Sequence, residues 1–177
     1  ILELTDSAFY LGLVGLMRAV PALSITLFGG VLADRLDRRK VLLVTQASAG
    51  MLALALGLLD AFGIVAIWHI LLIAFLSAVV MAIDNPTRQA LVPDLVGKEN
   101  IPSAVGLNSA AWNGAAVVGP ALAGLLVAAI GTAGAFLLNG VSYLAVLAVV
   151  YRMPAQPPKG DMRESILQNL VAGLRYI

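Results

Sequence analysis

Gly30-Val31-Leu32-Ala33-Asp34-Arg35-Leu36-Asp37-Arg38-Arg39-Lys40 decides the fold of this chain. Its charges crowd into a very short turn between two long apolar runs, the pattern of two helices meeting at a membrane surface. Crossing the hydrocarbon core takes roughly 20 mainly apolar residues per helix. Upstream of the turn, residues 7–33 meet that length, interrupted only by Arg18. Downstream, residues 41–59 carry no charge, and 64–84 carry none before Asp84 beyond a possible one on His69. Residues 101–130 and 132–151 contain no Asp, Glu, Lys, Arg or His, and the Gly131-Thr132-Ala133-Gly134 stretch separates them. The expectation is an all-α membrane protein with five transmembrane helices. Short alternating segments, the mark of a membrane β-barrel, are missing.

Composition agrees. Of 177 residues, 60% are hydrophobic and 12% charged, with 17 glycines besides. A soluble domain carries about 25% charged residues, so too little polar surface exists here to wrap a water-soluble globule. Disordered chains are poor in apolar residues, which excludes that class. A net charge of +1 with no separate basic face argues against nucleic acid as a partner. There is no cysteine, hence no disulfide or thiolate site.

Lys and Arg placement sets orientation. Arg35, Arg38, Arg39 and Lys40 fall in the first loop, Arg88 and Lys98 in a second loop at 85–100, and Arg152, Lys159, Arg163 and Arg175 in the tail. Glu3, Asp6 and Asp60 mark the opposite side, which has no Lys or Arg. The expected location is therefore a bacterial inner membrane, multi-pass, with the N-terminus outside and the loops and tail cytoplasmic. Ile1 opens on what reads as an extracellular loop, which implies a piece of a longer chain. Within 153–177, Pro154 to Pro158 make a stiff break. Ile166, Leu167, Leu170, Val171 and Leu174 then follow at the spacing of an amphipathic surface helix.

The 30–40 segment resembles the G-x-L-a-D-R-x-G-R-R signature between the second and third helices of the major facilitator superfamily, with Asp37 where that family usually has glycine. Ala115-Ala116-Val117-Val118-Gly119-Pro120-Ala121-Leu122-Ala123-Gly124 is similar to the g-x-x-x-G-P-x-x-G-G helix-five motif of proton-coupled antiporters, with alanine at two glycine positions. Asp84-Asn85-Pro86-Thr87-Arg88-Gln89-Ala90-Leu91-Val92-Pro93 looks like the branch of siderophore exporters and macrolide efflux pumps. The resemblance implies helices two to six of a twelve-helix fold, working against a C-terminal bundle of the same chain. It also implies a conformational latch at the cytoplasmic side, drawn from Gly30, Asp34, Arg35, Arg38, Arg39, Asp84 and Arg88. Ala115, Gly119, Pro120 and Gly124 carry the helix-five motif.

The residues have work independent of that resemblance. Asp34 ends a helix whose dipole its charge opposes, so it needs another helix's N-terminus or a cation nearby, the latter from Arg38 or Arg35. Topology charges with solvated partners are the plainer reading. Arg18, about eleven residues into its span, is costly in lipid, about 2.5–3.5 kcal/mol on insertion scales. It serves either a water-filled cavity, as substrate or coupling electrostatics, or a structural bond to helix carbonyls or snorkelling. Asn108, Trp112 and Asn113 sit at roughly one-turn spacing. They suit a cavity for bulky, partly apolar cargo or hydrogen bonds between packed helices. Pro120 beside Gly119 suits a kink. Asn139 and Tyr143 read as packing glue, and His69 beside Trp68 as an interfacial anchor.

No phosphate loop, metal-ligand spacing or hydrolytic triad is present, so the expectation is no enzyme, no catalytic residue, no cofactor and no metal. The functional expectation is a secondary active transporter that exports small amphipathic molecules, a drug, macrolide or siderophore-like compound, against protons by alternating access. The alternatives are a non-transporting membrane scaffold of the same fold and a facilitator or importer.

Overall fold

The computed structural model describes residues 8–154, without the side chains of Ala8, residues 26–35 and Lys98. The expected amphipathic tail lies outside the described residues. Those described form α1 (Ala8–Arg35), α2 (Arg38–Ala61), α3 (Ile67–Leu95), a 3-10 turn (Lys98–Asn100) and α4 (Ile101–Arg152). No strand occurs among them. The helices α2, α3 and α4 are each long and apolar enough to cross a membrane, and Phe9–Ile25 forms a shorter apolar stretch in α1.

Asp37 starts α2. Its carboxylate accepts the Arg39 amide at 3.0 Å, satisfying one of the donors that a helix start leaves open. At the far end Gly63 takes φ 67°, the Gly63 amide reaches the Asp60 carbonyl, and the Ile64 amide reaches that of Leu59. This pair of bonds is a Schellman stop, which favours glycine because a Cβ is disfavoured at positive φ. In α4 the backbone breaks at Gly131 (φ 74°, ψ 174°), a conformation essentially reserved for glycine. Unbroken, 52 residues would extend roughly 78 Å, more than twice a hydrocarbon core. The break makes two arms.

One expectation is corrected. Residues 85–95 are not loop, because α3 continues through Pro86 and on to Leu95. Proline removes an amide donor, yet within lipid Ser and Thr side chains and neighbouring helices re-satisfy the backbone. Next to Pro86 the fully buried Thr87 donates its hydroxyl to the Ile83 carbonyl at 2.8 Å, so its side chain is satisfied within the helix; this bond does not replace the one that Pro86 withholds from Ala82.

The helices pack chiefly as two pairs, α1 with α3 and α2 with the second arm of α4. The α2–α4 pair is antiparallel and close: a Cβ on Gly57 would lie 2.9 Å from the Leu137 backbone nitrogen, and one on Gly50 3.0 Å from the Tyr143 Cβ. Small residues at such crossings let helices approach without a hydrophobic drive from water. Leu42, Leu91 and Val150, one from each of α2, α3 and α4, form a small core at one end. Elsewhere large apolar side chains face outward, with Leu107 74% and Val117 79% exposed. A soluble monomer does not tolerate this over whole helices; a bilayer does.

Candidate functional site: a polar cavity between the helix pairs

At the core end, consecutive arginines tie α2 to both neighbours. The Arg38 guanidinium donates to the Ala90 carbonyl at 2.8 Å and forms an ion pair with Asp94. Arg39 donates to the Tyr151 carbonyl and lies 5.3 Å from the centre of that ring. Tyr151 is in the last turn of α4, where carbonyls lack helical partners. At the other end the Thr132 hydroxyl donates to the Asp60 carboxylate.

Asp84 sits about 15 Å along α3 from Asp94, given about 1.5 Å per residue. It is buried. Its Oδ1 accepts the Thr45 hydroxyl at 2.6 Å and the Gln46 amide at 2.7 Å, and its Oδ2 accepts Arg88, one turn on, at 2.7 Å. These bonds provide what a carboxylate needs away from water, because burying an unpaired charge is costly. The expected grouping of Asp84 with Arg38 at the helix end does not form. Arg38 takes Asp94, and Asp84 belongs to a separate cluster deeper along the bundle. Gly30, Asp34 and Arg35 lie on the backbone of α1, in the stretch whose side chains are outside the described set.

Around Asp84 opens a cavity of about 570 Å³ lined from every helix. Val14 and Arg18 come from α1, Gln46, Ala49 and Ala53 from α2, and Ala74, Ser77, Met81, Asp84 and Arg88 from α3. Trp112, Phe136, Asn139 and Tyr143 come from α4. The spacings of three and four on α2 and α3 are what one helix face requires. A second cavity of about 670 Å³ adjoins it, sharing Asn85, Arg88 and Trp112 and continuing to Val92, Val105, Asn108, Ser109 and Asn113. Arg18 thus faces the first cavity, Asn108 and Asn113 the second, and Trp112 lines both. Asn139 and Tyr143 line the first too, although Tyr143 also packs on Gly50. Ala115, Gly119, Pro120 and Gly124 lie on the first arm of α4, where most side chains are exposed. A Cβ on Gly119 or Gly124 would meet nothing within 4 Å. His69 accepts the Ala66 amide at 3.0 Å and stacks on Trp68, at the opposite end from Arg38.

Sequence reasoning missed Thr45, Gln46 and Asp94. The first two had a signal: adjacent polar side chains inside an uncharged span need a partner. Asp94 was hidden because its segment was read as loop.

Among the described residues, no group of His, Cys, Asp or Glu is arranged to hold a metal ion. The site can bind and position a partly polar molecule between apolar walls.

Comparison with known proteins points the same way. The chain is 32% identical over 155 residues to the staphyloferrin A transporter of Staphylococcus aureus, covering 87% of this chain and 38% of that protein. It is 31% identical over 149 residues to the enterobactin exporter of Shigella boydii, covering 84% of this chain and 36% of that one. Thus it spans less than two fifths of the length of these relatives. No solved structure matches it. Residues 1–177 match the transmembrane secretion effector family throughout, and the chain belongs to that family of the major facilitator superfamily.

Proposed function

We propose that this chain is part of a secondary active exporter, in which five membrane crossings form one bundle around the pathway for a small amphipathic molecule. The relatives, named as a staphyloferrin A transporter and an enterobactin exporter, support a siderophore-like cargo. The cavity between the helix pairs carries the reading: Arg18, Asp84 and Arg88 face it from otherwise apolar helices. Charged side chains at membrane depth line pathways for substrates or protons far more often than they fill cores. A scaffold that moved nothing would have no use for such a space.

In this reading the two arms of α4 are separate crossings, and residues 34–40 face the cytoplasm with the N-terminal end of α1 outside. The bundle rocks against a second bundle of the same polypeptide about a midplane site. Asp34, Arg35, Arg38 and Arg39 form the cytoplasmic latch, now with Asp94 as the α3 carboxylate. Protons moving inward drive cargo outward. The helix-five motif around Gly119-Pro120 supports export over import.

Everted vesicles carrying the intact protein test this. Uptake of a labelled siderophore is expected to follow an imposed proton gradient and to stop when a protonophore collapses it. Uptake that survives complete collapse of the gradient rejects proton coupling.

A further inference from the structure

The charge balance of the cavity points to the chemistry of its occupant. Among the described residues its charged lining is Arg18, Arg88 and Asp84, two cations against one anion. Asp84 is committed, since Arg88 and two neutral donors already hold it. Arg18 makes no hydrogen bond or ion pair among the described residues. The Arg88 Nε also has no partner although it is shielded from solvent. A guanidinium is a planar fork that matches an oxyanion with two bonds. Beside the cations, Trp112, Phe136 and Tyr143 supply faces for a flat apolar body.

Resting on the exporter reading, we propose that this cavity selects organic oxyanions. Arg18 binds the anionic group, the aromatic side chains hold the body of the molecule, and Asp84 neutralises Arg88 until an anionic cargo shares it. A cation without a described protein partner on a cavity wall attracts anions and repels cations, so selectivity runs against cationic amphiphiles. The Asp84–Arg88 pair keeps the empty site from carrying two bare charges, and it sets an internal competitor against which the cargo binds.

The test uses the intact protein in lipid nanodiscs and three labelled probes that share one aromatic body: 2-naphthoate, 2-naphthamide and a naphthyl trimethylammonium. Binding is corrected for empty nanodiscs. Naphthoate is expected to bind at least tenfold more tightly than the amide, with the ammonium weakest. Arg18→Gln should weaken naphthoate at least tenfold and leave the amide unchanged, and Arg18→Lys should restore part of the loss. Arg18 has no described partner to lose, so Gln at this position does not strip another residue of its bond. Asp84→Asn, if it folds, should strengthen naphthoate binding severalfold by freeing Arg88. Equal affinity for the three probes overturns the proposal, as does unchanged naphthoate binding in Arg18→Gln. A protein that exports the ammonium but prefers it to naphthoate overturns the anion site and leaves the exporter reading standing. One that binds naphthoate as predicted, yet transports nothing in vesicles, rejects the exporter reading and leaves the site.

Discussion

Asp84 and Asp37 are both aspartates, and the structure uses them in opposite ways. Asp84 is buried and held by three donors, so its surroundings are costly to change. Replacing Gln46 with Leu removes one of those donors and should destabilise the protein by about 1–3 kcal/mol. Thermal unfolding of the purified variant in detergent measures it. Asp37 is half-buried and caps α2 through the Arg39 amide. Asp37→Ala should cost about 1 kcal/mol, whereas Asp37→Asn should keep most of the cap; the same melting assay separates them. The cap also explains why aspartate serves where the superfamily signature has glycine: the turn at 34–40 ends directly in a helix start that needs an acceptor. Asp84 is marked in the sequence by the family resemblance, as a latch carboxylate at a helix end. Its partners are not, since Thr45 and Gln46 lie 39 and 38 residues away and only packing of α2 on α3 brings them in.

At the scale of elements, the apolar runs were legible because hydrocarbon thickness imposes a length on them. The end of α3 was not. Pro86, Pro93 and the polar residues between them carry the punctuation of a loop, and the competing facts are tertiary: Arg88 pairs with Asp84, Thr87 is buried, and Asp94 meets Arg38. Close approach of α2 and α4 rests on glycine. Gly57 faces the backbone nitrogen of Leu137, which cannot swing aside as a side-chain tip can. Gly57→Ala should therefore push the helices apart and cost about 1–3 kcal/mol, read as a lower melting temperature with unchanged helical circular dichroism. An unaltered melting temperature would mean that the pair is looser than its contacts imply.

For the molecule as a whole, the two helix pairs are tied, among the described residues, by Arg38 to Ala90 and Asp94 at one end and by Thr45 and Gln46 to Asp84 farther along, with polar groups facing the space between. The outward faces are apolar, and the first arm of α4 is the least packed segment. The absence of cysteine makes the decisive experiment simple, because a single engineered thiol has no competitor within these residues.

Ser77 faces the cavity from α3, and Leu72, 49% exposed on the same helix, does not line it. Ser77→Cys and Leu72→Cys, each introduced alone into an otherwise cysteine-free intact protein, are treated with a membrane-impermeant thiosulfonate, and vesicle transport is then measured. The account predicts that Ser77→Cys reacts and that its reaction blocks transport, while Leu72→Cys remains unlabelled and active. An unreactive Ser77→Cys, or a fully labelled one that still transports at the original rate, would contradict the claim that the space between the helix pairs is the transport pathway.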